Sequence, residues 1–404
     1  MKYCRFCKNE LKTVFVDLNM APIVNNYIKP ENLHREENTY PLITYICENC
    51  KLVQTLDFKT SQEIFTEDYA YFSSFSSSWL KHCSNYVDEI SKKLNLDTNS
   101  QVIELASNDG YLLQYFQKNK VPVLGIEPCK SVADVAIAKN IKTIIDFFTF
   151  DLSKKLPKAD LIIANNVLAH VPDLNDFVSG IKNVLKADGT ATLEFPHILN
   201  LINKNQFDTI YHEHYSYISL IFAEKLFKNN ELRIYDVEEL DTHGGSLRLY
   251  ICHKNSDKVT SSNVADLLNK EINAELDKIE IYQKYFEQVK KTKREVLKLI
   301  IDIKNQGKSI VAYGASAKGN TLFNYCGIST DFIDYSVDMN PHKQNMYLPG
   351  SHIYVTSPDE IKKTKPDYIF ITPWNIKDEI IEQLSYVREW GCKFIVAIPE
   401  PKIL

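Results

Sequence analysis

The run Val102-Ile103-Glu104-Leu105-Ala106-Ser107-Asn108-Asp109-Gly110 constrains the fold most. A continuous apolar strand meets a sharp turn, and Tyr111, Leu112, Leu113, Tyr115 and Phe116 follow at helical spacing. A second strand, Val123-Leu124-Gly125-Ile126, ends in Glu127, 23 residues beyond Glu104. That is close to the offset of about 20 residues at which a nucleotide-binding βαβ unit places the acid for the ribose hydroxyls. The turn is poor in glycine: Ala106, Ser107 and Asn108 stand where dinucleotide folds place it, and only Gly110 remains. A pyrophosphate needs closer backbone approach than such a turn allows, whereas the uncharged linkage of S-adenosylmethionine (SAM) does not. A SAM site therefore fits better than NAD, with a Rossmann-like domain for another nucleotide as the alternative.

The segment Asp160–Asn166 reads as a buried strand ending in two amides at the carboxyl edge, where ligands of such sheets bind. Ile181–Leu185 is expected to be helical, Lys186-Ala187-Asp188-Gly189 a turn, and Thr190–Phe195 the next strand. The alternation predicts an α/β, doubly wound parallel sheet. Its candidate cofactor contacts are Glu104, Ala106, Asn108, Gly110, Glu127, Pro128, Asp146, Phe147, Asn165 and Asn166.

In front of this unit, Cys4-Arg5-Phe6-Cys7 and Cys47-Glu48-Asn49-Cys50 form two CxxC pairs separated by 39 residues. Two such turns complete the tetrahedral thiolate shell that zinc prefers, and four cysteines leave no open position, so the ion is expected to be structural. Redox CxxC motifs and a nucleic-acid-reading ribbon are the competing readings; the segment Glu31–Glu37 is hardly basic. With nine cysteines the count is odd, which favours metal binding over a disulfide framework.

The chain's 404 residues predict two or three domains, and a net charge of −5 argues against non-specific nucleic-acid binding. No apolar run approaches the roughly 20 residues of a membrane span, and no signal-peptide core follows Met1. A cytoplasmic protein is the expectation.

Asp208-Thr209-Ile210-Tyr211-His212-Glu213-His214-Tyr215-Ser216-Tyr217 is the densest cluster of titratable groups, and histidine with glutamate suits acid–base chemistry near neutrality. His212 and His214 could instead be a metal pair, or the stretch a polar aromatic loop. His170 is placed to face the same cleft. Thr242-His243-Gly244-Gly245-Ser246-Leu247-Arg248 reads as a tight turn entering a strand, suited to close approach of substrate or to a plain hairpin. The region Ser261–Asn305 is helical in pattern, with Gly307 as its stop. Then Ser309–Thr321 repeats the strand, glycine turn and helix, Phe332–Val337 is a second strand ending at Asp338, and Tyr368–Ile371 and Phe394–Ile398 complete a small parallel sheet. Lys318 beside helix-starting amides suits an anionic phosphate; packing alone is the plainer reading of this domain.

Together the zinc pairs, ELASNDGYLL, GIEP, NNVLAHV, YHEHYSY and THGGSLR resemble the SAM-dependent sugar C-methyltransferases of deoxysugar biosynthesis, over nearly the whole chain. The resemblance implies a zinc-binding front domain (1–68), a class I SAM methyltransferase domain (69–258), and a helical connection with a Rossmann-like, substrate-anchoring domain (259–404). It implies C-methylation next to the ketone of a nucleotide-linked sugar. His214 would be the general base, oriented by Glu213, with Tyr211 and His170 as donors to the enolate. Tyr71, in the stretch Tyr69-Ala70-Tyr71-Phe72-Ser73-Ser74, together with His243, Gly244, Arg248, Ser316, Lys318 and Asn320 would contact substrate. A SAM methyltransferase on another acceptor, small molecule or RNA, is the alternative function, and a non-catalytic interaction protein a further one.

Overall fold

The computed structural model describes residues 2–64 and 72–404. Three sheets organise them. In the front sheet Thr13–Ala21 pairs antiparallel with Tyr40–Ile46, which pairs with Val53–Thr55. The fourth strand comes from far away in sequence: Ser216–Tyr217 joins Val53–Thr55, with Val53 opposite Tyr217 and Gln54 opposite Ser216. The acid–base cluster of the sequence is thereby bonded to the zinc-binding front.

The central sheet has the order Leu232–Leu240, Ser246–His253, Leu185–Pro196, Ala159–Asn165, Val102–Leu105, Val123–Ile126, Thr143–Ile144. All contacts are parallel except those of Ser246–His253, which runs against both neighbours. Val102–Leu105 is buried at all four positions, as a strand covered on both faces must be. Helix Leu174–Val184, longer than expected, is capped by the Asp173 carboxylate, which accepts from the amides of Asn175 and Asp176. The expected turn at Lys186–Gly189 is not one: the strand begins at Leu185 and runs through it, because a register shift between Ala159 and Leu161 lets it pair early while the Lys186 ammonium holds the Asp160 carboxylate at 2.7 Å.

Behind it, the helical region divides into Ser262–Asn273 and Glu280–Asn305. The longer helix packs Tyr285 on Phe15 of the front sheet, rings stacked at 5.1 Å. The rear sheet runs Met346–Tyr347, Tyr354–Thr356, Ser336–Val337, Ile310–Tyr313, Tyr368–Ile371, Lys393–Val396, Lys402–Ile403. Its two edge strands are antiparallel, so the sheet is mixed rather than wholly parallel. The second strand is also shorter than expected, because the amides of Phe332 and Ile333 bond back to the Ser329 carbonyl in a turn. Front sheet, long helix and rear sheet share one apolar cluster that includes Phe15, Phe207, Tyr285, Phe323 and Trp374. Among the described residues no helix is long and apolar enough to cross a membrane.

Candidate active site

Four thiols gather first. The Cys4, Cys7, Cys47 and Cys50 sulfurs all lie within 4.8 Å of one another, with Cys4–Cys50 at 3.6 Å and Cys7–Cys47 at 3.5 Å. A tetrahedron of sulfurs at about 2.3 Å from zinc has edges of about 3.8 Å, so the donor set fits that ion. Each CxxC turn closes on itself, the Lys8 and Lys51 amides donating to the Cys4 and Cys47 carbonyls, and Gln54 Nε2 donates to the Cys4 sulfur at 3.3 Å. All nine cysteines are unbridged.

Arg5, between the first two ligands, is 8% exposed and reaches toward the cleft. It donates to the carbonyls of Pro172 and Thr55 and to the Asp57 carboxylate, and lies 5.1 Å from the Tyr215 ring. Thr55 Oγ1 donates to the His214 carbonyl at 3.0 Å. The zinc knuckle thus braces both histidine-bearing turns.

A cavity of about 1360 Å³ opens where the carboxyl ends of the central and rear sheets face each other. On the SAM side, Ala106, Asn108, Glu127, Pro128, Phe147, Asn165 and Asn166 line it. Ala106 and Asn108 sit at φ of 55° and 48°, the left-handed region, so the turn takes without glycine the shape that glycine would otherwise supply. Glu127 is held by the amides of Asn108 (2.9 Å) and Cys129 (2.8 Å). Burial raises its pKa, and those two donors oppose the rise. The Asn165 and Asn166 side-chain Oδ1 atoms are buried without a partner among the described residues. Orphaned amide acceptors beside a two-faced acid and an aromatic ring suit the amine, ribose and adenine of SAM.

Three expected cofactor contacts lie elsewhere. Glu104 is fully buried beneath the turn, and desolvation holds its carboxyl well above the usual range despite the nearby Tyr111. Gly110 stands behind the wall at φ 75°, where a Cβ would come 2.5 Å from Ile141 Cδ1; its role is close packing of helix on sheet. Asp146 is exposed and bonds the Phe147 amide.

Opposite the SAM turn, Tyr211, Glu213, His214 and His170 all line the cavity. The His170 and His214 rings are 4.7 Å apart, and Tyr211 lies 3.9 Å from His214. His214 Nδ1 meets the Thr209 carbonyl at 2.8 Å, which fixes the proton on Nδ1 and leaves Nε2 a lone pair. Burial and neighbouring His170 hold His214 well below the usual imidazole range. The orienting role expected of Glu213 therefore falls to a backbone carbonyl. The Glu213 carboxylate turns instead to Asn25 Nδ2 at 2.7 Å, and burial raises its pKa to about 7. His170, pushed down to about 4 by burial, is a neutral ring whose hydrogen bond goes to the Glu213 main chain. It lines the cavity beside Tyr211 and His214, where the resemblance places a donor to the enolate. His212 points away, packed edge-on to Tyr40.

The expected substrate contacts divide in the same way. His243, Ser316 and Lys318 line the cavity. Ser316 caps helix Ala317–Cys326 through the Gly319 amide. Lys318 Nζ donates to Asn375 Oδ1 at 2.8 Å and lies 4.7 Å from the Trp374 ring centroid; burial lowers its pKa to about 8. Arg248, Gly244 and Asn320 are outside the wall. Arg248 is clamped between Glu194 (2.9 Å) and Glu238 (3.0 Å), Gly244 packs under Trp374, and Asn320 donates to the Val24 carbonyl. Tyr69, Ala70 and Tyr71 lie outside the described residues. Sequence reasoning missed Asn25, Trp79, Thr209 and Trp374. Asn25, Trp79 and Trp374 sit in no motif, and Thr209, inside the acid–base segment, meets His214 through its main chain.

The rear crevice opens at the switch point between Ile310–Tyr313 and Tyr368–Ile371. There Gly314, at φ 100°, lies so near Pro373 that a Cβ would come 2.6 Å from its Cδ. Asp338, at the end of the second strand, accepts from the Ala315 amide at 2.8 Å and lines the cavity.

Fold and site define a SAM-dependent methyltransferase carrying a four-cysteine zinc site. Residues 4–65 match the family model "Putative zinc binding domain", 79–237 "Methyltransferase domain", and 241–399 "C-methyltransferase C-terminal domain". The chain is 30% identical to C-methyltransferase NovU of Streptomyces niveus over 99% of its own length and 96% of that protein. It belongs to the SAM-dependent sugar C-methyltransferase family. Among solved structures, the PH0226 protein of Pyrococcus horikoshii OT3 is 15% identical over 46% of this chain and 95% of that one, with a TM-score of 0.38. Magnesium protoporphyrin IX methyltransferase of Synechocystis PCC 6803 is 16% identical over 43% and 82%, with a TM-score of 0.35.

Proposed function

We propose that this C-methyltransferase acts in the cytoplasm on a small molecule, a nucleotide-linked keto-sugar, at the carbon beside the ketone. The observation that carries the reading is the single cavity walled by the SAM turn, the Tyr211–His214 cluster and the rear crevice. Three units, 1–68, 69–258 and 259–404, divide the work: bracing the cluster, holding SAM, and anchoring the nucleotide through Ser316 and Lys318. When bound, SAM supplies an electrophilic methyl group to the attacking carbon. His214 Nε2 takes the proton from that carbon, which a ketone acidifies, and the Tyr211 hydroxyl donates to the developing enolate oxygen. Glu213 acts as a charge that favours the imidazolium formed on its neighbour.

The test is mass spectrometry of a panel of keto-sugar nucleotides incubated with SAM. Gain of one methyl by a member supports the reading, and no gain across the panel, with methylation of a non-sugar acceptor instead, would sink it. A pH dependence follows. Glu213 ionises at about 7, so its charge is present above that pH and lost below it. In the wild type kcat/KM should rise through pH 7, and Glu213→Gln should abolish that limb. A limb unchanged in the variant would remove Glu213 from the role.

A further inference from the structure

Tyr211 and His170 face the acceptor from one wall of the cavity, and a further donor is available across it. Asn166 Nδ2 lies 3.1 Å from His243 Nε2. Both residues line the cavity, and both are non-glycine residues in the left-handed region, at φ 55° and 53°. Such conformations persist only where the surroundings over-determine them, and they gather at functional sites.

The surroundings do over-determine this one. Thr242 Oγ1 donates to Glu194 Oε1 at 2.9 Å, and Glu194, wholly buried, is fixed in turn by Arg248 at 2.9 Å and His82 at 3.1 Å. The Gly244 carbonyl accepts from Gln206 Nε2 at 2.8 Å and Lys204 Nζ at 3.0 Å. The Trp79 ring lies 5.2 Å from the His243 ring. This explains Arg248: it holds the shell behind the turn rather than the substrate.

We propose that His243 is a catalytic residue whose Nδ1–H donates a hydrogen bond to the ketone oxygen of the acceptor as that oxygen becomes negative. The inference rests on the keto-sugar reading above. With Nε2 accepting from the Asn166 amide, the proton of a neutral imidazole must reside on Nδ1, which has no partner among the described residues. Burial, reinforced by Lys318, lowers the His243 pKa to about 4, so the ring is a neutral donor throughout the working range. Lys318 lowers His214 as well, which sets both imidazoles around one positive charge suited to an enolate. In the step, the C–H bond beside the ketone breaks and its proton goes to His214 Nε2. The electron pair forms the C=C bond while the carbonyl π pair moves onto oxygen. His243 keeps its proton throughout.

The experiment compares wild type, His243→Gly and His243→Asn in the holoenzyme. The probe is the keto-sugar nucleotide that the panel shows to be methylated, and SAM affinity is measured by calorimetry. Glycine and asparagine both tolerate the left-handed backbone, so folding is preserved, and the Asn Nδ2 can stand near the position of Nδ1. Losing one oxyanion donor costs about 10²–10³ in kcat. His243→Gly should lose about that factor with SAM affinity within twofold, and His243→Asn should recover at least about a tenth of the wild-type rate. His243→Gly turning over within threefold of wild type would overturn the proposal, as would a kcat loss matched by an equal loss of SAM affinity. A wild type that methylates no sugar on the panel would overturn the keto-sugar reading and this proposal together.

Discussion

Replacing His214 with asparagine is expected to lower kcat for methyl transfer by roughly 10²–10⁴-fold while SAM affinity stays within twofold. The reason is positional. His214 Nδ1 is tied to the Thr209 carbonyl, so Nε2 is the lone pair offered to the cavity, and burial with His170 alongside keeps that lone pair unprotonated. An asparagine keeps a polar group there and cannot take a proton. The proposed SAM contacts, the turn around Ala106–Asn108 and Glu127, belong to the central sheet, on a different element from His214. Steady-state kinetics with calorimetry of SAM binding check both halves. Turnover within tenfold of wild type would remove His214 from the role of base.

Stripping the zinc should be nearly as damaging, for a different reason. Chelation, or Cys47→Ser, is expected to lower the melting temperature by roughly 10 °C and to abolish methyl transfer. The four-sulfur cluster holds the turn carrying Arg5, and Arg5 reaches Pro172, Thr55 and Tyr215. The strand Val53–Thr55 holds Ser216–Tyr217, two residues beyond His214. Losing the ion therefore loosens the segment on which His214 sits, although no thiolate enters the cavity. Zinc stoichiometry, thermal melting and turnover, measured on one preparation, test this. A metal-free protein with native melting and native turnover would show the front sheet to be independent of the cleft.

The parts that could be read from the chain are those whose cause is local. A continuous apolar run ending in a tight turn can be little else than a parallel strand feeding a ligand edge, and Val102–Glu127 forms such a unit. CxxC spacing likewise fixes sulfur geometry within a few residues. Non-local pairing was opaque. Arg248 looks like a substrate contact until Glu194 and Glu238 close on it from two other strands. The Thr209 carbonyl orients the His214 ring, and a main-chain group leaves no trace in residue type. Lys186–Gly189 has the composition of a turn, and only the Asp160 partner and the register shift across from it keep it in the strand. The Asn166–His243 contact joins positions 77 residues apart, with no motif spanning them.

Deuterium wash-in isolates the step on which the account depends. The keto-sugar nucleotide is held in D₂O with enzyme and S-adenosylhomocysteine, which fills the donor site and cannot alkylate, and the mass of the recovered sugar is followed. Wild type should add one deuterium beside the ketone, and His214→Asn should add none while binding the same ligand. Undiminished exchange by the variant, or no exchange by a wild type that methylates the same sugar, would contradict proton removal by this imidazole.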